Sequence, residues 1–320
     1  MTVSKSTCCT VPKANEASVG RNSRFIQAIA AIVPTARSIQ SELCDHLVDI
    51  PAGHFDFGAS KSKFPADLDS PRQRVKLGSF QISPTAVSNR EFARFVAETG
   101  YCTVAEVEGW SFVFHVLLED KDSWLESPSG LPWWRKVNGA SWRKPEGPDS
   151  SIADRDTHPA VHLCWYDAKA YCRWAGLRLP SEIEWERAAR GGLARMKFPW
   201  GNALLPDGAF AMNSWQGDFP NVNTAEDGFV GTAPVDAYPP NAYGLYNTTG
   251  NVWEWVEDKF SQTTLDGPKV EHQNLVGEVN YARVQRGGSY LCHVSYCDRY
   301  HVHSRTSNDA DSSTGNCGFR

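Results

Sequence analysis

Apolar and polar positions alternate over residues 50–58 (IPAGHFDFG) and more loosely over 75–82, which predicts two strands. The period then lengthens. Phe92, Phe95 and Val96 recur at helical spacing behind Ser88 and Glu91, a capping-box pair, and Gly100 closes the run, so a helix is expected there. A second helix is expected over about residues 166–175, stopped by Gly176, with Trp165, Ala168 and Cys172 on one face. A third starts at Ser181, pairs it with Glu184, turns Ile183, Trp185 and Ala188 inward and ends at Gly191-Gly192. Asp167, Glu182 and Glu184 on these helices read as solvated or capping groups, with no histidine nearby to complete an acid–base pair.

Residues 120–160 are polar and rich in Trp and Pro, which predicts a long structured loop. Beyond Phe198 regular periodicity gives way to turn-rich runs such as NSWQGDFPN, EDGF and GNVWEW, and no repeat of 20–50 residues is visible. The pattern predicts one α+β domain, loop-rich and low in regular secondary structure, over residues 46–320. Residues 1–45 are expected to form a mobile N-terminal leader. Its apolar run at 25–33, FIQAIAAIV, is too short to span a membrane and is interrupted by Gln27. A cytoplasmic location is therefore expected, with the secretory pathway as the alternative should residues 21–36 act as a signal.

Composition narrows the class. A hydrophobic fraction of 41% with 12 Trp and 15 Phe provides for a sizeable core. A net charge of −5 is too mild to call for nucleic acid or an anionic membrane as partner. Nine cysteines, an odd number, argue against a closed disulfide framework.

The chemistry concentrates in residues 286–305, RGGSYLCHVSYCDRYHVHSR. Cys292 and Cys297 are too widely spaced for a CxxC zinc half-site, and no second CxxC exists. A local disulfide, two inert buried thiols and a two-thiolate site for a soft metal, with Cu(I) foremost, all fit the residue types. Arg299 and Arg305 are candidates for keeping the thiols deprotonated. A second concentration, Asn213, Asp227, Asn247, Asn251 and Glu254, offers oxygen donors of the kind Ca²⁺ prefers, or simply turn caps.

The run GGSYLCHVSYC at 287–297, the closing DSSTGNCGFR and the WRKPEGPDS stretch at 142–150 resemble the formylglycine-generating enzymes, also called sulfatase-modifying factors. The resemblance implies that family's C-type-lectin-like fold, with Cys292, Cys297 and Ser289 catalytic and the two cysteines gripping Cu(I) in one open groove. It implies substrate contacts at His293, Trp253, Tyr296 and Asn316. It also implies two structural Ca²⁺ sites. The first takes Asn213 and Asp227 with backbone oxygens of Ser214 and Phe229; the second takes Asn247 and Glu254 with carbonyls of Gly250 and Val252. The activity implied is O2-dependent conversion of a cysteine to formylglycine in a Cys-x-Pro-x-Arg segment of an unfolded or nascent sulfatase-type polypeptide. One family disulfide would pair Cys172 with a cysteine beyond Arg320, and Cys317 is a conceivable substitute. The other falls on Ala189 and Val302. Val294 and His301 replace basic residues of some relatives. Two other functions compete: a non-catalytic peptide-binding module on the same scaffold, and an iron-dependent sulfoxide synthase. The latter's HxxxEH motif is missing.

Overall fold

Much of the expected leader is folded. The computed structural model describes residues 18–261 and 282–320. Within it α1 (Ser18–Ala31) and α2 (Arg37–Asp45) precede the first strand. Phe25, Ile29 and Ile32 form a stripe at helical spacing and are buried in the main core. Arg173 donates to the Ile32 carbonyl at 2.9 Å, and the Thr35 amide donates to that of Trp174 at 2.8 Å. The boundary drawn at residue 45 is corrected accordingly, since three apolar side chains at one spacing outweigh polar flanks. Residues 1–17 lie outside the described residues.

The two predicted strands each break into two. β1 (Val48–Ile50) pairs antiparallel with β4 (Phe80–Ile82), and β2 (Gly53–Phe57) with β3 (Gln73–Leu77). The first break falls at Pro51, which has no N–H for a ladder. α3 (Asn89–Thr99) carries the Ser88–Glu91 capping box and ends on Gly100 at φ 66°, as its sequence predicts. A similar box, Thr103–Glu106, opens the short α4 (Val104–Glu108). β5 (Trp110–Phe114) and β6 (Trp134–Asn138) form an antiparallel pair, so the expected long loop contains a strand.

α5 (Trp165–Ala175) is buried on nearly every side, which is why its hydrophobic pattern has no clean polar face. α6 (Glu182–Ala189) follows, and β7 (Gly217–Asp218) and β8 (Val222–Asn223) make a small ribbon. The main sheet comes last in sequence: β9 (Trp253–Lys259), β10 (Ala282–Arg286), β11 (Arg305–Asp309) and β12 (Cys317–Phe319), in the order β11-β10-β9-β12, with β12 parallel to β9. Indole N–H groups tie helix to sheet. Trp165 Nε1 donates to the Val256 carbonyl at 3.0 Å and Trp255 Nε1 to that of Leu163 at 2.9 Å. Each buried indole adds about 2–3 kcal/mol of apolar burial. Among the described residues no helix is long and apolar enough to cross a membrane.

Candidate active site

β10 and β11 are antiparallel neighbours, with Arg286 opposite Arg305, so the 287–304 segment leaves and re-enters the sheet at one place. Both arginines are clamped to one helix carboxylate. Glu182, at the start of α6, accepts from Arg286 Nη1 at 2.9 Å and from Arg305 Nε and Nη2 at 2.6 and 2.8 Å. Glu186, one turn on, takes Arg286 Nη2 and Arg190 at 2.6 Å each. All five side chains are buried. Glu182 is thus a structural hub rather than a solvated group, and Arg305 is committed to it instead of serving the thiols. Asp167 and Glu184 do cap their helices. Removing one member of such a buried cluster costs about 3–5 kcal/mol, because the remaining charges are stranded.

Gly288, at φ 76°, folds the loop on itself. A Cβ there would lie 2.9 Å from Tyr300 Cα and 3.0 Å from the Arg299 carbonyl oxygen, so only glycine lets the outgoing arm touch the returning one. That contact brings Cys292 Sγ to 3.4 Å from Cys297 Sγ. A disulfide needs about 2.05 Å, so the pair is not bonded. The Ser289 amide donates to Cys292 Sγ at 3.5 Å, and Arg299 Nη1 donates to Cys297 Sγ at 3.7 Å. Arg299 is fixed from behind by Asp67, with Nη2 donating to Oδ1 at 3.0 Å. Burial outweighs the arginine and pushes the Asp67 carboxyl up to about 6.

Sulfur-to-metal bonds run about 2.3 Å, so one ion can bridge two sulfurs up to about 4.6 Å apart. The 3.4 Å separation meets that requirement. The expected open groove, however, is not what the fold provides, since Cys292 and Cys297 are both 0% exposed. Ser289 and Asn316 are sealed with them. Asn316 Nδ2 donates to Ser289 Oγ at 3.1 Å, and Asn316 Oδ1 accepts from Thr314 Oγ1 at 2.7 Å. Asn316 therefore positions Ser289 rather than lining a peptide surface. Trp253, also expected at that surface, is fully buried, because its place on β9 points it into the main core.

The outer layer is the 293–296 turn, closed by the Cys297 amide on the His293 carbonyl at 2.8 Å. His293 and Tyr296 are half-buried there. Burial lowers the imidazole pKa of His293. The Tyr296 ring stacks on Phe219 at 4.7 Å and meets Trp133 edge-on at 5.1 Å. Pattern reading missed Phe219, Trp133 and Asp67. Trp133 stood in the conspicuous PWW run, but nothing local links any of the three to the cysteines.

The oxygen-rich stretch packs directly against this loop. The Gly250 amide donates to the Gly287 carbonyl and the Tyr290 amide to that of Asn251, each at 2.9 Å. Asp227 Oδ2 accepts from the Ser214 amide at 3.1 Å and Oδ1 from that of Phe229 at 3.0 Å. Burial raises its pKa. Asn213 Oδ1 is buried without a hydrogen-bond partner among the described residues. A partnerless amide carbonyl together with a carboxylate fits a hard cation, so the first expected calcium set has suitable donors. The second is more heavily bonded. Asn247 Oδ1 lacks a partner among the described residues, but Glu254 is buried with both oxygens taken by Arg320 at 2.6 and 2.7 Å and one also by Trp185 Nε1. Glu254 thus carries an ion pair with Arg320 at the position expected to serve calcium. Gly250 keeps its place for a different reason, as a Cβ there would strike the Asn213 carbonyl at 2.3 Å. Val252 is buried in a small apolar cluster. Among the described residues no three His, Cys, Asp or Glu side chains converge on one point. Cys172 and Cys317 are both free thiols, and Cys317 Sγ accepts from Gln285 at 2.8 Å, so the substitute bridge is not formed.

Comparison with known proteins agrees with this geometry. A curated "Formylglycine-generating enzyme" of Streptomyces coelicolor is 53% identical over 85% of this chain and 87% of its own. An "Inactive C-alpha-formylglycine-generating enzyme 2" of Bos taurus is 41% identical over 86% of this chain and 87% of its own. The solved structure of PvdO from Pseudomonas aeruginosa shares the fold at TM-score 0.59, with 23% identity over 85% of this chain and 92% of that one. Residues 34–320 match the model of the sulfatase-modifying factor enzyme 1-like domain, and the chain belongs to that family.

Proposed function

We propose that this protein oxidises a peptidyl cysteine in a sulfatase-type Cys-x-Pro-x-Arg segment to formylglycine, with Cu(I) held by Cys292 and Cys297 and O2 as electron acceptor. The observation that carries the reading is the 3.4 Å approach of two thiols on a loop clamped at both ends. Oxidation at carbon lies beyond ordinary side chains, and copper would supply the redox chemistry when bound. The chain's own residues do the rest. Arg299 stabilises the thiolate of Cys297 by charge and hydrogen bond, held in place by Asp67. Asn316 fixes Ser289, whose hydroxyl sits behind Cys292 to meet a substrate sulfur or an oxygen species. Trp133, Phe219 and Tyr296 offer faces for the substrate proline, and His293 contacts its backbone beside them. Because both thiols are covered, the 293–296 turn must move aside when the peptide enters. Calcium at Asn213 and Asp227 would stiffen the buttress behind the loop.

Identity is higher to the relative named for the activity than to the one named inactive, which supports turnover over passive binding. The test is mass spectrometry of such a peptide after aerobic incubation with Cu(I)-loaded protein. An aldehyde product is expected. Verified copper loading with stoichiometric peptide binding and no product would instead favour the non-catalytic module.

A further inference from the structure

One cavity on the far side of the second cysteine plays no part in the mechanism above. It has a volume of about 560 Å³ and lies between residues 59–72, residues 190–202 and the arm that begins at Asp298. Six cationic side chains line it against the carboxylates of Asp69 and Asp298. Three are neutralised locally: Lys63 by Asp298 at 2.8 Å, Arg190 by Glu186 at 2.6 Å and Arg195 by Asp56 at 2.7 Å. Lys61, Arg72 and Lys197 have no ion-pair partner among the described residues, and Arg72 Nε is buried without a hydrogen bond among them.

The local field agrees. His301 and His303 stack at 5.4 Å on one wall, and both are kept neutral in the neutral pH range. For His301 burial is the main cause, opposed by Asp298, with the charges of Lys197 and Lys63 adding to it. The carboxylate of Asp69 lies 3.8 Å from His303 Nε2 on the same wall.

We propose that this cavity is an anionic subsite that receives an acidic side chain of the substrate polypeptide, one flanking the cysteine to be modified. Two features favour a peptide carboxylate over a free oxyanion. The cavity is far roomier than one tetrahedral ion requires. It also starts at Asp298, the residue after Cys297, so a chain lying at the thiols reaches it within a few residues at about 3.3–3.6 Å each. The inference deepens the peptide-oxidising reading and rests on it.

The test is a binding titration with Cys→Ser peptides of the Cys-x-Pro-x-Arg type, which cannot turn over, flanked by Glu, Gln or Lys. Wild-type protein should bind the Glu-flanked peptide about tenfold tighter than the Gln-flanked one, as two partly exposed ion pairs allow. High salt should erase the difference. A Lys61→Gln/Lys197→Gln double variant should lose the preference, the Glu-flanked peptide falling to the affinity of the Gln-flanked one. Both lysines are exposed, so folding is not at stake. Equal affinity for all three flanks, or a preference that survives in the double variant, would overturn the subsite. Binding that follows this pattern without any aldehyde from the reactive peptide would defeat the oxidase reading and leave the subsite standing.

Discussion

In the thiol loop two sulfurs lie 3.4 Å apart and the hydrogen bonds that reach them from Ser289 and Arg299 are long, at 3.5 and 3.7 Å. In the adjoining 213–254 stretch the carboxylate of Glu254 is taken up by Arg320 and Trp185, and that of Asp227 accepts two backbone amides. Both regions are rich in metal-type donors. They differ in the appetite of the donor. A carboxylate cannot be buried unpaired, so folding recruits an amide or a guanidinium to it. A thiol bonds hydrogen weakly and behaves as a small apolar group, so its burial asks less of its neighbours. The Glu254 carboxylate is built into the architecture, while the two sulfurs lie side by side with only long hydrogen bonds to them.

The largest expected effect falls on the thiols. Cys292→Ala and Cys297→Ala should each lower aldehyde formation by about a thousandfold or more, with the double variant no worse, because the two act as one unit. Melting temperature should fall only slightly, by comparison of unfolding curves. Next comes the clamp. Glu182→Gln should cost about 3–5 kcal/mol, seen as a melting temperature lower by about 10 °C, because Arg286 and Arg305 lose their shared carboxylate.

The oxygen-rich region gives the sharpest contrast. Glu254→Gln should destabilise by about 3 kcal/mol even with a chelator present, since its carboxylate is paired with Arg320. Asp227→Asn should cost little in chelator and should remove any calcium-dependent gain in melting temperature. If Glu254→Gln behaved like Asp227→Asn, the contrast between the two regions would break.

The smallest effect is one of pH. Burial pushes the His303 imidazole down to about 3, against about 6.5 unfolded. The unfolded chain therefore takes up a proton first as pH falls. Stability tied to this residue is intact above about 6.5 and declines by about 1.4 kcal/mol per pH unit toward 3. A His303→Gln variant should lose a few degrees less than wild type between pH 7 and pH 5.

Local signals carried the legible part of this molecule. Capping boxes at Ser88 and Ser181 and the glycine stops placed α3, α5 and α6. The Gly287–Cys297 run marked the thiol pair, and the geometry places its sulfurs together. What could not be read was long-range. Arg299 meets Asp67 and Arg320 meets Glu254 across large separations in the chain, so neither the support of the thiols nor the ion pair of Glu254 has a local trace. Trp253 shows the same limit from the other side. Its run GNVWEW reads as turn-rich, and both its place on β9 and its burial depend on α5, α6 and the sheet assembling around it.

The account depends on Cys292 and Cys297 sharing one soft ion and spending it on a substrate cysteine. X-ray absorption at the copper edge, taken on Cu(I)-loaded protein with and without a Cys-x-Pro-x-Arg peptide, tests this most directly. Two sulfur neighbours in the free protein and three with the peptide are predicted. A copper environment without sulfur, or one unchanged by Cys292→Ala, would contradict it.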